Sequence, residues 1–385
     1  MSFKILLCVI FAFSYSNTCF PSIYYVDSKD ESLDIDNQIS IILKKIAKTK
    51  DLSNVIEFLP GIYYLNKSIE VMLNPNHSIQ LKGHGVGRTT LHWKSGSISQ
   101  GITIHFESTG SLTGHKGSIS VQNMSLINDS ETEDASAITL LNRSKTPGGA
   151  ETPTKNIRDI GISGYTADKY WNYGIVLDGC TFTNVDRLTF NGNRFMKGNA
   201  ILIKGNNNPV DNYINQLRVT SAENGIMIQG NTEGFYINQA TMIAVRNGIN
   251  WHTNGFEPLL SVANSHINAY INCILAKNIL QAIINGNLLY QCKHLKVKEW
   301  SAIKVDGKKG TPVDLSIISN NIIHGFDKVN TNLIGINLLQ RYNSIISNNI
   351  IFRTNVGIFL GTRTRDISVD NNRFVEVDQN IIRPK

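Results

Sequence analysis

The chain has 385 residues, 41% hydrophobic and 8% aromatic, and its 37 Lys and Arg against 30 Asp and Glu give a formal charge of +7. Beyond the first twenty positions only Cys180, Cys273 and Cys292 remain, an odd and sparse count that argues against a disulfide framework. No run after position 20 approaches the ~18 apolar residues of a membrane span, and the modest positive charge, without a nucleic-acid motif, favours an acidic polysaccharide as partner.

Residues 1–20 have the layout of a secretory signal: Lys4, an apolar run from Ile5 to Phe13, then small polar residues from Ser14 to Ser16. Loss of Lys4 with this leader leaves a charge of +6 on a secreted, extracellular or periplasmic protein. Residues 21–385 read as one domain, because no interior linker or shift in composition interrupts them. Within residues 34–49, Ile35, Ile39, Ile42 and Ile46 recur at helical spacing, with Lys44, Lys45 and Lys48 between them. An amphipathic helix is expected there, covering the open end of whatever follows.

Two strand-like segments come next, Ile56-Glu-Phe-Leu-Pro-Gly-Ile-Tyr-Tyr-Leu65 and Ser78-Ile-Gln-Leu-Lys-Gly-His-Gly-Val-Gly-Arg-Thr-Thr-Leu-His-Trp93. Gly83, Gly85 and Gly87 read as turn residues. A dinucleotide fingerprint would need glycine where Arg88 stands, and a helix after it. A Pro/Gly/Thr-rich segment from Thr146 to Lys155 reads as a long loop. From Tyr173 onward one phrase returns: Gly174-Ile-Val-Leu-Asp-Gly, Ala200-Ile-Leu-Ile-Lys-Gly, Gly225-Ile-Met-Ile-Gln-Gly, and then starts at Gly248, Cys273, Ala302, Gly335 and Gly357. The starts lie 26, 25, 23, 25, 29, 33 and 22 residues apart.

A unit that short cannot bury its own apolar face, so successive units must stack as a solenoid. Apolar residues alternate within each phrase, which makes it a strand. A second phrase, Ser316-Ile-Ile-Ser-Asn-Asn-Ile-Ile, recurs at Ser344 and loosely at Ile367. It places Asn320, Asn348 and Asn371 at equivalent turns, with Asn215, Asn238 and Asn264 expected to align upstream, since asparagine accepts left-handed backbone. Three strands per coil, stacked in parallel, predict an all-β chain: a right-handed parallel β-helix solenoid with a short N-terminal capping α-helix.

The opening residues resemble the pectate-lyase-like superfamily of parallel β-helix proteins. A short helix, the strand Leu59-Pro60-Gly61-Ile62-Tyr63, and Gly83-His-Gly85 followed by Thr89 and Leu91 match that superfamily's entry motifs. The resemblance extends over the chain beyond the leader and implies the fold. It also implies carbohydrate chemistry, in which lyases often use Lys or Arg as base, some with calcium. No acidic calcium cluster stands out here, which favours neutralisation by protein groups without a required cofactor, while the resemblance leaves calcium open.

With the isoleucines inward, the second outward position of each recurring strand reads His105, Leu141, Asp178, Lys204, Gln229, His252, Lys277, Asp306, Leu339 and Gly361. Parallel neighbours lie about 4.8 Å apart, so the six polar members from Asp178 to Asp306 form a line about 24 Å long. That suits an extended polymer. The flanking outward positions are Val176, Leu202, Met227, Asn250, Leu275 and Lys304. Inward, Ile228 and Ile249 are expected to share a core column. Tyr165, Tyr170, Trp171 and Tyr173 cluster ahead of Asp178 and could offer flat faces to sugar rings.

Asp178 and Asp306 are too far apart for the roughly 5 to 9.5 Å that glycoside hydrolysis requires. A hydrolase would need Asp178, Glu223, Glu233 or Glu257 gathered by loops. Elimination on a uronate instead needs a group that balances the carboxylate and a base for the proton beside it. Candidate catalytic residues are therefore His252, Lys277, Lys204 and Asp178; candidate substrate contacts are Gln229, Asp306, Asn250, Tyr170, Trp171 and Lys304. Cleavage of an acidic polysaccharide by β-elimination leads. A glycosidase like the depolymerases of phage tail spikes, a uronate epimerase, and a non-catalytic carbohydrate-binding surface protein stay open, as does pairing with another subunit.

Overall fold

A computed structural model describes residues 21–384 apart from 30–33, 50, 95–98, 108–116, 130–133, 145–152, 167, 207–208, 294–296, 308–314 and 330, and apart from the side chains of 254–257. The leader expected over residues 1–20 lies outside the described residues. The described residues form one helix and a succession of strands joined edge to edge in parallel. Parallel crossovers of L-residues wind right-handed, and the architecture is a right-handed parallel β-helix.

The helix spans Ile35–Lys48. The Asp34 carboxylate caps it by accepting from the Asn37 N–H at 2.8 Å, and Ile39 and Ile42 are buried against the first coils. Asp36 fastens it to the solenoid by accepting from the backbone N–H groups of Asn66 (3.1 Å) and Lys67 (3.2 Å). Gly85 (φ 129°) and Gly87 (φ 78°) make the turn into the strand Thr89–Trp93.

Each coil lays strands on three faces. The front face carries the recurring phrase, in Tyr173–Asp178, Asn199–Gly205, Asn224–Gly230, the second half of Thr241–Glu257, the second half of His266–Ile279, Glu299–Asp306 and Asn332–Leu339. Ile175, Ile201, Ile226, Ile249, Ile274, Ile303 and Ile336 stack inward, one above another, all with no exposed surface. The expected Ile228–Ile249 column is corrected here: Ile249 stands on Ile226, and Ile228 lies between Ile203 and Trp251. Small residues open the phrase because the corner is crowded. A Cβ on Gly174 would come within 2.4 Å of the Ala200 carbonyl oxygen and 2.7 Å of the Phe190 ring.

Between the back and side faces, Asn264, Asn320, Asn348 and Asn371 do hold left-handed backbone, at φ 52° to 57°. Asn215 and Asn238 do not. They pair with each other one residue earlier, and Gln216 and Gln239 take the left-handed position. The residue after the left-handed Gly286, Asn320, Asn348 and Asn371 is an asparagine, and these four build a ladder. Nδ2 of Asn287 donates to Asn321, Asn321 to Asn349, and Asn349 to Asn372, at 3.0, 2.9 and 2.9 Å.

The loop expected from Thr146 to Lys155 ends earlier than its composition suggests, because Thr154 and Lys155 begin the strand Thr154–Gly164; residues 146–152 lie outside the described residues. Lys155 is 1% exposed and donates to the carbonyls of Pro153 (2.6 Å) and Thr181 (2.7 Å). Burial pushes its ammonium down to about 8, from an ordinary value of 10.5. The folded protein thus releases this proton near pH 8, while the unfolded chain keeps it to near pH 10.5. Stability should rise with pH across that window, by roughly 3 kcal/mol at most. Denaturant melts of wild type and Lys155→Met at pH 7.5 and about pH 10 test this: the wild type should gain stability relative to the variant, and parallel pH profiles would exclude it.

Candidate functional site

The polar line on the front face is continuous in the strand register. His105 pairs with Leu141, Leu141 with Asp178, Asp178 with Lys204, Lys204 with Gln229, Gln229 with His252, His252 with Lys277, Lys277 with Asp306, and Asp306 with Leu339. The inward packing of Ile203, Ile228 and Trp251 turns their neighbours Lys204, Gln229 and His252 outward, where they are exposed; Asp178, Lys277 and Asp306 are half-buried. The pairing shifts register just past His252. There Nδ2 of Asn278 donates to the Thr253 carbonyl at 2.7 Å, fixing the strand ends beyond His252 and Lys277.

The two end members have partners of their own. Asp178 accepts from Asn206 Nδ2 at 2.6 Å, and Asp306 accepts from Gln340 Nε2 at 3.2 Å. Burial raises the Asp306 carboxyl above the usual carboxylate range, against the pull of Gln340 and the charges of Lys277, Lys304 and Arg341. Lys304 itself pairs with Glu299 at 3.0 Å.

A groove of about 490 Å³ opens on the N-terminal half of this line. Thr139, Val176 and Leu202 form a floor at 5–7% exposure. Asp178, Lys204 and Gln229 stand along one side, and Asp134, Tyr173 and Asn199 along the other. The Tyr173 hydroxyl donates to Asp134 Oδ1 at 3.2 Å. Burial, and then the Asp134 carboxylate, push the Tyr173 phenol up, so it stays protonated. From the strand of Gln100 to that of Gln229 the groove crosses four strand steps, about 19 Å.

The structure therefore brings Asp178, Lys204 and Gln229 into one concavity. His252, Lys277 and Asp306 continue the line beyond it. Asn250 lies in the adjacent outward column, and its amide donates to Asn224 Oδ1 at 3.1 Å. Tyr170 is half-buried, with its carbonyl accepting from Asn128 Nδ2 at 2.8 Å. Trp171 is a correction: at 1% exposure, edge-on to Trp93 and with its indole N–H directed to the Leu126 carbonyl at 3.3 Å, it belongs to the core. Its indole cannot stack on a sugar.

The carboxylates that a hydrolase would need gathered stand on separate elements. Glu233 starts a back-face strand, Glu223 sits at the corner before a front-face strand beside Arg246 (3.4 Å), and the Glu257 side chain lies outside those described. Burial raises the Glu223 carboxyl. Among the described residues no three His, Cys, Asp or Glu converge as a metal site would.

Two features escaped sequence reasoning. Asp134 precedes the strand Ser136–Asn142 in a stretch without periodicity, and only the fold brings it to Tyr173. The second is a ladder at the start of the front-face strands, Asn199–Asn224–Asn247–Asn272, joined at 2.6, 3.1 and 3.1 Å. Its signal was present, since asparagine immediately precedes four of the recurring phrases.

No protein-family model matches the chain, and no curated protein matches it. Solved structures do. The surface protein and adhesin PfbA of Streptococcus pneumoniae is 14% identical, with 93% of this chain and 99% of that one covered at a TM-score of 0.50. The periplasmic alginate epimerase AlgG is 13% identical over 94% of this chain and 84% of that one, at 0.47. The tailspike protein of E. coli bacteriophage HK620, in complex with a hexasaccharide, is 10% identical over 89% and 74%, at 0.49. The likeness is one of fold.

Proposed function

We propose that this protein is a secreted enzyme that cleaves an acidic, uronate-containing polysaccharide by β-elimination on its front face. The observation that carries the reading is the unbroken line Asp178–Lys204–Gln229–His252–Lys277–Asp306, with a groove opening onto it. A polymer lying along the solenoid meets one coil after another. Lys277 would balance the uronate carboxylate and His252, one coil away, would take the proton beside it. The electrons of that C–H bond form the new double bond, the glycosidic C–O bond breaks, and the leaving oxygen takes up a proton. Lys204 and Gln229 would hold the preceding units.

The test is a screen of acidic polysaccharides, following absorbance near about 232 nm, where the unsaturated uronate product of elimination absorbs. Chain shortening with no such absorbance would exclude elimination. Hydrolysis is the second reading, favoured by the two carboxylates, Asp134 and Asp178, that border one groove; new reducing ends without a 232 nm product, expected at about that wavelength only from elimination, would identify it. On whichever polymer is active, Lys204→Ala and Lys277→Ala should each weaken binding by about two- to fivefold at low salt. The affinity that remains should depend less on salt. Unchanged salt dependence in both variants would count against this face.

A further inference from the structure

Along the proposed binding line, the acidic group at Asp178 is followed by the basic stretch from Lys204 to Lys277, and this bears on which sugars it accepts. Asp134 and Asp178 border the groove near its middle, on opposite sides of the buried apolar floor of Val176 and Leu202. Lys204 follows one strand step after Asp178, and Lys277 three steps after Lys204. We propose that the part of the groove between Asp134 and Asp178 takes an uncharged sugar and the stretch from Lys204 to Lys277 takes the uronate, so that the substrate is a mixed polysaccharide and not a polymer of uronates alone. The inference rests on the acidic-polysaccharide reading above and narrows its substrate.

The physical case is one of acceptors. An ionised carboxylate only accepts hydrogen bonds. Asp134 spends one on the Tyr173 hydroxyl and Asp178 one on Asn206, which leaves each with acceptor capacity toward sugar hydroxyls and none for another carboxylate. A sugar unit and a strand step are of similar length, so a polymer of uronates laid along the line would bring a carboxylate to this part of the groove. At about 5 Å, two like charges repel enough to lower affinity by about fourfold in a water-like medium and by more than a hundredfold at the effective dielectric of a protein surface. An uncharged unit escapes that repulsion, sets its C–H face on Val176 and Leu202, and offers hydroxyls to both carboxylates.

The experiment is affinity electrophoresis of the purified protein in gels containing unsulfated chondroitin or hyaluronan, where uronate alternates with an uncharged amino sugar, or polygalacturonate or alginate, which are all uronate. The wild type should bind the alternating chains at least about tenfold more tightly. The double variant Asp134→Asn/Asp178→Asn, with a wild-type melting curve, should bring that ratio below about threefold by tightening all-uronate binding. Equal binding of the two classes by the wild type, preference for the all-uronate chains, or an unchanged ratio in the folded double variant would overturn the inference and leave the acidic-polysaccharide reading standing. Binding to neither class would overturn that reading, and the inference with it.

Discussion

Ile228→Asp is expected to abolish folding. Ile228 has no exposed surface and lies between Ile203 and Trp251 in the interior of the solenoid. The substitution removes a packed aliphatic side chain, worth about 2–5 kcal/mol, and leaves a buried carboxylate without a partner, worth a further 3–5 kcal/mol or so. Together these approach the roughly 5–15 kcal/mol that a folded protein has in total. In a solenoid the damage also spreads, because each coil is stabilised mainly by its neighbours. Met227→Asp, one residue away but outward and only half-buried, should fold with a melting temperature close to that of wild type. Circular dichroism melts of the two variants decide the matter. If they behave alike, the inward–outward assignment that defines the polar line is wrong.

His252→Ala should lose at least about a hundredfold in turnover, the usual scale for a positioned acid or base. The side chain is exposed and contributes little packing, so the melting curve should stay near that of wild type. Its register neighbours are Gln229 on one side and Lys277 on the other, each about 5 Å away. The regular pairing ends at this residue, and the register shifts beyond it. Turnover is to be measured on the polymer identified by the screen, after confirming that the variant is folded. Near-normal turnover would remove His252 from the mechanism and shift weight to the carboxylates of the groove.

Local chemistry carried the fold. Apolar alternation in a phrase that recurs every 22 to 33 residues allows only a stacked solenoid, and the Ile35–Ile39–Ile42–Ile46 spacing marks the helix that closes its end. Because parallel stacking copies one coil's inward and outward choice onto the next, the order Asp178, Lys204, Gln229, His252, Lys277, Asp306 could be read by lining up the phrases. Slips of register were the cost of that method. Ile228 was set on Ile249, two residues from its true neighbour Trp251, because two inward positions of one strand look alike. Asn215 and Asn238 were set at the left-handed turn, one residue early, because corner residues carry no periodic signal.

What lies outside the repeat was decided by tertiary structure alone. Nothing local distinguishes Trp171 in the core from Tyr173 at the groove, since both sit in one loop-to-strand passage and differ only in which way the corner turns them. Asp134 reaches Tyr173 from the preceding coil, 39 residues earlier in sequence. The strand period fixes what repeats along the solenoid axis. The corners between faces follow no period, so the groove, its carboxylates and its extent along the line exist only once the coils are stacked.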